Sequence, residues 1–329
     1  ARLSGGDAIL LMLSVLDDEQ YLALHKVADS LNMSVLTEVS NEQEVSRALA
    51  LNASLIGINN RDLRDLSTDL ATTERLRQLI PNDKVVISES GIYTHKDVKR
   101  LAPLCDGFLI GSSLMAERDL EAACRKVILG ENKVCGLTRS QDAIAAYASG
   151  AVYGGLIFYP KSPRYVDIDC AKQVTQSAPL AYVGVFVNAP LEQVVDYAQS
   201  LKLAAVQLHG DENSEYIQSL RKQLPLGCEI WKAQAVKGEL PKPLEGVDRH
   251  LYDTYSKSQK GGTGEAFDWS VLETATVPFM LAGGLNPENI HAALYRGANG
   301  LDLNSGVEAS AGKKCQTKLQ NAFSHIRNY

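Results

Sequence analysis

Short, nearly continuous runs of apolar residues alternate with longer amphipathic segments along almost the whole chain. The apolar runs are rich in Val, Ile, Leu, Ala and Gly, and they lack the apolar–polar alternation of a strand with one face in water. They recur about every 20–30 residues, which is the spacing expected of a strand followed by a crossover helix. Because parallel strands are covered by helices on both faces, this pattern predicts an α/β fold built from parallel βα units.

The apolar runs fall into two groups. The first group predicts strands at residues 8–13, 34–39, 55–60, 85–89 and 107–111. The second predicts strands at residues 133–137, 152–158, 181–187, 204–208, 229–233, 250–253, 279–282 and 300–303. A (β/α)8 TIM barrel needs eight parallel strands, so the second group is sufficient to close one and the first is not. We therefore expect a complete C-terminal TIM barrel at residues 131–329, preceded at residues 1–130 by an incomplete TIM barrel of about five βα units.

The amphipathic segments predict helices between these strands, and several begin with residues typical of helix N-caps, namely Thr94, Ser140 and Asn213. The helix predicted over residues 119–129 is followed by Gly130, a residue type that commonly ends helices, and we place the boundary between the two domains there. The other predicted helices cover residues 18–31, 41–51, 94–101, 140–149, 191–201, 213–224 and 287–296.

Composition limits the classes of partner. The net charge is −6 and no Lys/Arg run exceeds two residues, so we expect no nucleic-acid partner. No apolar run reaches the ~18 residues of a membrane span, and the acidic residues around residues 8–16 favour a buried strand there over a signal peptide. The six cysteines show neither Cys-x-x-Cys nor zinc-type spacing. We therefore expect no metal, reduced thiols and a cytoplasmic protein.

In each domain, a short motif of small residues follows each of the last two predicted strands. Small residues at these positions allow backbone N–H groups to approach an anion, although tight turns that simply need Gly are the alternative. The repetition of the pair favours phosphate binding. The candidate residues are Ser90, Gly91, Gly111 and Ser112 in the first domain and Gly283, Gly284, Ser305 and Gly306 in the second.

Two reactive side chains end strands of the second domain. Cys135 lies at the end of its first strand and Asp253 at the end of its sixth. The carboxyl ends of barrel strands line the active site, so a thiol and a carboxyl there form a candidate acid–base pair. The alternatives are an inert buried cysteine and an aspartate that caps a helix or joins a salt bridge.

Three further positions suggest contact with a ligand. Arg164 follows Pro163 on the loop after the second strand and suits bidentate binding of a carboxylate, unless it is an ordinary exposed arginine. His209 ends the fourth strand, where it can contact substrate or merely form a structural hydrogen bond. Gly262 and Gly264 belong to a glycine-rich loop after the sixth strand, which suits either a phosphate-binding nest or a mobile lid.

Taken together and in order, the motifs of residues 131–329 resemble those of the phosphoribosylanthranilate isomerase family. The resemblance implies a TIM barrel that carries out an Amadori rearrangement in tryptophan biosynthesis without a cofactor. It also implies a small-molecule phosphosugar–anthranilate substrate. The motifs are Val134-Cys135-Gly136-Leu137-Thr138-Arg139, Gly154-Gly155-Leu156-Ile157-Phe158, Ser162-Pro163-Arg164, Val206-Gln207-Leu208-His209-Gly210, Asp253, Gly261-Gly262-Thr263-Gly264, Leu281-Ala282-Gly283-Gly284-Leu285 and Leu301-Asp302-Leu303-Asn304-Ser305-Gly306-Val307-Glu308.

This resemblance also implies roles for the residues. Cys135 would be the general base that takes the C2 proton of the ribose, and Asp253 the general acid that protonates the ring oxygen. Arg164 would hold the anthranilate carboxylate, and the turns at Gly283-Gly284 and Ser305-Gly306 the phosphate. A thiolate base and a protonated acid require a lowered pKa for Cys135 and a raised pKa for Asp253.

Residues 1–130 resemble the later two-thirds of indole-3-glycerol-phosphate synthase, an enzyme that closes a ring with loss of carbon dioxide and water. The resemblance implies Glu38 as an acid/base residue and Asn59 and Glu89 as groups that orient the substrate. It implies that Ser90, Gly91, Gly111 and Ser112 bind phosphate. The matching motifs are Leu36-Thr37-Glu38-Val39, Gly57-Ile58-Asn59-Asn60-Arg61-Asp62-Leu63, Ile87-Ser88-Glu89-Ser90-Gly91-Ile92 and Phe108-Leu109-Ile110-Gly111-Ser112.

The synthase family carries a Glu and two Lys residues on three earlier strands that have no counterpart in this sequence. Five strands would leave two unpaired sheet edges. The sequence is therefore either part of a longer protein, or remodelled in its first domain, or completed by a partner segment that supplies the missing strands. We expect isomerase turnover from this chain and little synthase turnover. The rival hypotheses are another phosphosugar enzyme on the same barrel and a non-catalytic phosphosugar-binding or scaffold barrel.

Overall fold

The computed structural model describes residues 1–62, 65–117, 119–254 and 268–327. The chain divides into two compact units, Ala1–Val127 and the residues from Ile128 onward. This division falls within the helix predicted at the domain boundary, which runs Leu120–Leu129 and is followed by Gly130 in a left-handed conformation (φ 77°). The glycine stop of that helix is therefore confirmed, while the domain boundary at residue 130 stays a prediction.

The first unit contains an open, five-stranded parallel sheet whose strands follow chain order. All five predicted strands are present, although the last is two residues shorter than expected. The outer strands each have one edge that no strand of the described chain covers. The strands are β1 (Ala8–Met12), β2 (Ser34–Val39), β3 (Leu55–Asn59), β4 (Val85–Glu89) and β5 (Gly107–Leu109).

Helices cover this sheet, and their starts follow from local side-chain caps. Asp17 and Gln20 form a capping box at the first long helix, and Thr94 accepts from the backbone N–H of Asp97 at the fourth, as predicted. The helices are α1 (Asp18–Ser30), α2 (Glu42–Ala50), α3 (Ala71–Arg77), α4 (His95–Leu101), α5 (Ser112–Met115) and α6 (Leu120–Leu129), with 3₁₀ turns at Arg2–Ser4 and Ala102–Leu104.

The second unit is a closed barrel of eight parallel strands, which confirms the predicted fold. It closes where the last strand pairs with the first, with Asp302 opposite Lys133 and Leu303 opposite Val134. The strands are β6 (Lys133–Val134), β7 (Tyr153–Ile157), β8 (Ala181–Phe186), β9 (Ala205–Leu208), β10 (Glu229–Val236), β11 (Arg249–Thr254), β12 (Phe279–Leu281) and β13 (Gly300–Leu303).

An outer layer of helices packs against the barrel. Asn213 caps its helix as predicted, whereas Ser140 does not: it is the first residue of its helix, and its hydroxyl donates instead to the carbonyl of Gln173 (3.4 Å). The helices are α7 (Ser140–Ser149), α8 (Ile168–Thr175), α9 (Leu191–Ser200), α10 (Ser214–Arg221), α11 (Ile290–Leu294) and α12 (Gln316–Arg327), with 3₁₀ helices at Trp269–Thr274 and Ser305–Val307. No described helix has the length and apolar character needed to cross a membrane.

Aromatic and charged side chains pack together near the amino ends of the barrel strands. The guanidinium of Arg249 lies 5.0 Å from the ring centre of Trp231 and 5.7 Å from that of Tyr153, and it forms an ion pair with Glu131 at 2.8 Å. This packing helps to fill that end of the barrel. The opposite end carries a short hairpin, β14 (Glu308–Ser310) and β15 (Lys313–Lys314), that the sequence pattern did not predict.

Candidate active site

A cavity of about 90 Å³ opens at the carboxyl ends of the barrel strands. Most of the residues predicted for the site of this barrel line it. Gly306 is not among the lining residues, and Gly262 and Gly264 lie outside the described residues. The predicted residues that line the cavity are Cys135, Arg164, His209, Asp253, Gly283, Gly284 and Ser305.

Cys135 directly follows β6 and continues its pairing, because its backbone N–H donates to the carbonyl of Leu303 on β13 (2.8 Å). Its side chain is buried and packs with Ile157 and Val185 from the next two strands. A Cβ atom on Gly155 would lie 2.7 Å from the sulfur, so β7 needs glycine at this point. The thiol therefore faces the cavity from a tightly packed wall.

Lys133 and Asp302 form a buried ion pair in the same wall, with Nζ and Oδ2 2.8 Å apart. Lys133 precedes Cys135 by two residues, so both side chains point to the same face of the strand, the interior of the barrel. Oδ1 of Asp302 has no hydrogen-bond partner among the described residues, and Asp302 lines the cavity. Sequence reasoning assigned neither residue a role, although a lysine inside an apolar strand is costly to bury without a partner and was an available signal.

The environment of Cys135 contradicts the predicted lowering of its pKa. Burial raises the pKa of the thiol, and the nearby ammonium of Lys133 opposes this effect without overcoming it. That prediction was wrong because it was inferred from the role of a thiolate base, which says nothing of the desolvation of a sulfur enclosed by strands. Burial alone would lower the pKa of Lys133, but Asp302 and Cys135 together outweigh it and the pKa is raised, so the ammonium stays charged.

Asp253 is the penultimate residue of β11 and reaches the cavity across the barrel from Cys135. Its Oδ1 accepts from the backbone N–H of Thr254 (2.7 Å), and its Oδ2 lies 3.6 Å from Nε2 of His209. A Cβ atom on Gly283 would lie 2.8 Å from Oδ1 and 2.2 Å from the hydroxyl of Thr254. The glycine turn after β12 thus lies directly against the acid.

Gln207 is a lining residue that sequence reasoning quoted only as part of a motif. Its side chain is 1% exposed, and its Nε2 lies 3.4 Å from Nδ1 of His209. Its Oε1 has no partner in the part of the chain that the structure describes. A buried amide oxygen that faces a cavity is suited to accept a hydrogen bond from a ligand hydroxyl.

Arg164 is a partly buried member of the site, with a side chain 11% exposed, and not an exposed loop arginine. Its guanidinium makes a bidentate contact with Glu308, with Nη2 2.7 Å from Oε2 and Nε 2.9 Å from Oε1. Gly136, in the left-handed region at φ 70°, makes room for it, since a Cβ atom there would lie 2.7 Å from Cδ of Arg164. The glycine after the thiol is thus required by the arginine.

The two small-residue turns lie side by side at the mouth of the barrel. Gly283 and Gly284 both have positive φ (89° and 63°), and Ser305 begins a 3₁₀ helix after β13. A Cβ atom on Gly306 would lie 2.0 Å from the carbonyl oxygen of Leu285. Gly306 therefore allows the two turns to approach each other.

In the first unit, the three predicted catalytic groups lie together at the ends of neighbouring strands. Nδ2 of Asn59 donates to Oε1 of Glu38 (3.2 Å), and Glu89 is the register partner of Asn59 on β4. Burial, together with the nearby charge of Glu38, raises the pKa of Glu89 to about 8. A Cβ atom on Gly57 would lie 1.8 Å from Oε1 of Glu89, so the carboxyl occupies the space above a glycine.

The predicted phosphate residues of the first unit occupy the turns after β4 and β5. Ser90 and Gly91 are both left-handed (φ 66° and 74°), and the Ser90 N–H donates to the carbonyl of Leu109 (3.3 Å). Gly111 precedes the short helix that begins at Ser112. Among the described residues, no three His, Cys, Asp or Glu side chains are grouped so as to hold a metal ion.

Comparisons with known proteins match both units. The family model of N-(5′-phosphoribosyl)anthranilate (PRA) isomerase matches residues 132–325, and that of indole-3-glycerol phosphate synthase matches residues 1–127. The tryptophan biosynthesis protein TrpCF of Vibrio cholerae is 56% identical over 330 residues, covering 100% of this chain and 70% of that protein. TrpCF of Yersinia pestis is 54% identical over 331 residues, covering 100% of this chain and 69% of that protein.

Solved structures match the second unit. Phosphoribosyl anthranilate isomerase from Thermotoga maritima is 31% identical with a TM-score of 0.53, covering 61% of this chain and 100% of that chain. A phosphoribosyl anthranilate isomerase in complex with reduced 1-(o-carboxyphenylamino)-1-deoxyribulose 5-phosphate is also 31% identical, with a TM-score of 0.52 and the same coverage.

A closed parallel barrel with these relatives defines a TIM-barrel enzyme. The chain belongs to the TrpCF family of tryptophan biosynthesis proteins, with a synthase-type unit followed by an isomerase-type unit. The resemblance to the two families is therefore confirmed. The function of the TrpCF family is tryptophan biosynthesis, and its two enzymatic activities are those of PRA isomerase and indole-3-glycerol phosphate synthase. A non-catalytic scaffold barrel is not favoured.

Proposed function

We propose that the cavity of the second unit binds N-(5′-phosphoribosyl)anthranilate and that Cys135 and Asp253 are its base and acid. The observation that carries this proposal is that both side chains line one cavity, from the ends of β6 and β11. Arg164 and the turn at Ser305 line the same cavity, so its wall offers a cation for a carboxylate and a small-residue turn for a phosphate.

In this mechanism Asp253 gives its proton to the ring oxygen of the ribose. The lone pair of the substrate nitrogen forms a bond to C1 as the C1–O bond breaks, and the furanose opens to a protonated imine. Cys135 removes the proton from C2, and the electron pair of the broken C–H bond moves toward the imine to form an enolamine. Tautomerisation of the enolamine gives the ketose, so no atom is gained or lost. His209, 3.6 Å from Asp253, stabilises the carboxylate that remains when Asp253 has given up its proton.

The thiol must ionise before it can accept the C2 proton. Burial raises the pKa of Cys135, and the nearby charge of Lys133 is the largest of the effects that favour the thiolate, with a smaller one from Lys314. Asp302 keeps Lys133 in place through the ion pair at 2.8 Å. We infer that Lys133 and Asp302 act through Cys135.

Replacement of the thiol tests this proposal directly. Cys135→Ala is expected to abolish isomerase turnover, measured as the loss of substrate fluorescence. Cys170→Ala removes a half-buried thiol of the same barrel that does not line the cavity, and it is expected to keep wild-type turnover. Undiminished turnover of Cys135→Ala would refute the assignment.

We also propose that Glu38, Asn59 and Glu89 form the reacting site of the synthase and that the turns at Ser90-Gly91 and Gly111-Ser112 bind its phosphate. The shared location of the three side chains and the raised pKa of Glu89 support this proposal. The small residues of the two turns are compatible with close approach of an anion.

We further propose that additional strands pair with the outer edges of β1 and β5 and that synthase turnover requires them. The open five-stranded sheet supports this idea, since open edges invite pairing. The greater length of the relatives also supports it, since this chain spans 70% of the Vibrio cholerae protein. Those strands belong either to the same polypeptide or to a partner segment.

Two predictions about the organisation of the protein remain proposals. Domains at residues 1–130 and 131–329 are compatible with family matches that end at residue 127 and resume at residue 132. A reducing, cytoplasmic location is compatible with the six cysteines, all of which are free thiols.

A further inference from the structure

The hairpin β14–β15 carries a buried charged pair that contacts the site without lining the cavity. Glu308 accepts from Arg164 at 2.7 and 2.9 Å and from Nζ of Lys314 at 2.8 Å. The side chains of Glu308 and Lys314 are 4% and 0% exposed, and that of Arg164 is 11% exposed. A single carboxylate thus holds two cations at the edge of the site.

The same lysine also contacts a second residue that lines the cavity. Nζ of Lys314 lies 3.0 Å from Oδ1 of Asn304 and 3.2 Å from its carbonyl oxygen. Asn304 lines the cavity and immediately precedes the turn at Ser305. An unbroken chain of contacts therefore runs from Arg164 through Glu308 and Lys314 to the small-residue turn after β13.

The charges in this chain do not balance. Two basic side chains share one carboxylate. Contact with Arg164 and Lys314 lowers the pKa of Glu308 even though burial alone would raise it, and burial lowers the pKa of Lys314 despite its contact with Glu308. Nη1 of Arg164 has no partner among the described residues, and Arg164 lines the cavity. An anion that binds Nη1 of Arg164 would neutralise the excess positive charge.

We propose that Glu308 and Lys314 are positioning residues that couple the binding of an aromatic carboxylate at Arg164 to the binding of a phosphate at the Asn304–Ser305 turn. This inference rests on the proposed function. Glu308 holds the guanidinium of Arg164 in place, and Lys314 holds the backbone of the turn. The two contacts are linked because Lys314 also binds the carboxylate of Glu308. Occupation of either end orders the chain of contacts and lowers the entropic cost of binding at the other.

A purely structural role makes a different prediction. Glu308 also accepts from the N–H of Gly312 in the hairpin turn (3.2 Å), and Thr138 donates to the Gly312 carbonyl. If the charges only fastened the hairpin, their loss would lower thermal stability and leave the binding of the two anions independent. Ligand coupling is therefore the readout that separates the two roles.

The test is multiple-inhibition kinetics of the isomerase with anthranilate and inorganic phosphate, added singly and together. For the wild type, each inhibitor is expected to tighten the binding of the other. Glu308→Gln is expected to weaken anthranilate inhibition and to raise KM by about tenfold, with kcat within about twofold. Lys314→Met is expected to weaken phosphate inhibition, and both variants are expected to lose the coupling. Independent binding of the two inhibitors to the wild type would overturn the proposal without the need for any variant.

Asp142→Asn is a matched control, since it disrupts an ion pair of similar length, with Arg139 (2.6 Å), on an outer helix of the same barrel. It is expected to keep the coupling, as is any variant that only loses stability. Cys135→Ala is assayed in parallel to separate this proposal from the proposed function. Absent turnover in the wild type, or full turnover in Cys135→Ala, contradicts the function. If Glu308→Gln shows the same coupling as the wild type, this result contradicts only the proposed positioning role of Glu308 and Lys314.

Discussion

The ammonium of Lys133 lies 2.8 Å from the carboxylate of Asp302, and the two residues are register partners on the strands that close the barrel. The pair lies inside the barrel next to Cys135, whose pKa is raised by burial. Oδ1 of Asp302 remains without a hydrogen bond among the described residues. The closure of the barrel thus places a fixed positive charge beside the thiol, where it opposes the effect of burial on the pKa of Cys135.

Removal of the charge on Lys133 is expected to raise the pKa of Cys135 further and to slow the isomerase. The thiolate is the reactive form, so the rate at neutral pH should fall about tenfold for each unit by which the pKa rises. The rising limb of the pH–rate profile should move to higher pH in Lys133→Met. Alkylation of Cys135 by iodoacetamide as a function of pH measures the same shift without catalysis.

Lys133→Met also leaves Asp302 as a buried charge without its partner, which costs about 3–5 kcal/mol of stability. The double variant with Asp302→Asn removes that cost and still lacks the lysine. It should be slower than the wild type at neutral pH but less slow than the single variant, because the charge of Asp302 itself raises the pKa of Cys135, and it should be more stable to denaturant. An unchanged pH profile in both variants would show that the lysine has no influence on the thiol.

Gly155→Ala is expected to displace the thiol and to reduce turnover by at least about tenfold. The added methyl group would lie 2.7 Å from the sulfur of Cys135 and 3.0 Å from its Cα, and the backbone atom cannot easily move aside. Overpacking of this kind costs about 1–3 kcal/mol. Turnover and chemical unfolding measured on the same sample would show both effects.

Gly154→Ala provides a neighbouring control for that experiment. Its added methyl group would meet only the ends of the side chains of Leu137, Leu180 and Tyr182, at 2.9–3.2 Å. We expect this variant to lose stability but to keep the alkylation rate of Cys135. Equal loss of turnover in the two variants would mean that general destabilisation explains the effect of Gly155→Ala.

The stability of the first unit is expected to decrease as pH rises through 8. Glu89 has a pKa of about 8 in the folded chain and an ordinary value of 4.5, so the folded state keeps a proton that the unfolded state releases. Its contribution is therefore fully present below pH 4.5 and is lost as pH rises through about 8. Denaturant titrations at pH 5, 7 and 9 measure this trend.

Glu38→Gln should weaken the pH dependence of stability. It removes the neighbouring charge, while burial, the larger cause of the raised pKa of Glu89, remains. The loss of stability between pH 5 and 9 should therefore become smaller without disappearing. A dependence as steep as that of the wild type would show that the two carboxyl groups do not interact.

Sequence reasoning succeeded where a local pattern has a direct physical meaning. The strands were predictable because parallel strands covered on both faces must be apolar throughout. The position of Cys135 and Asp253 at one cavity was predictable because residues at strand ends point to one mouth of the barrel. The helix at Gln316–Arg327 was missed despite a clear signal, since its buried residues Leu319, Phe323 and Ile326 follow helical spacing.

Other features depend on contacts between distant residues and leave no local pattern. Lys133 and Asp302 are 169 residues apart, and Arg164 and Glu308 are 144 apart, so neither partner could be assigned before the barrel was closed. The hairpin that bears Glu308 and Lys314 is short and polar, without the apolar runs that mark the other strands. The direction of the pKa shift of Cys135 was missed for the same reason, because desolvation depends on packing.

The chain of residues 1–329 is expected to show isomerase turnover and little synthase turnover. The outer edges of β1 and β5 are uncovered in the described sheet, so a barrel mouth for the synthase substrate is not enclosed by these five strands. Fusion of the part of the Vibrio cholerae relative that this chain does not span should restore indoleglycerol phosphate formation and leave the isomerase rate unchanged. In that fusion, Glu38→Gln should remove synthase turnover only, and Cys135→Ala isomerase turnover only. Robust synthase activity from residues 1–329 alone would show that five strands suffice and that the edges need no partner.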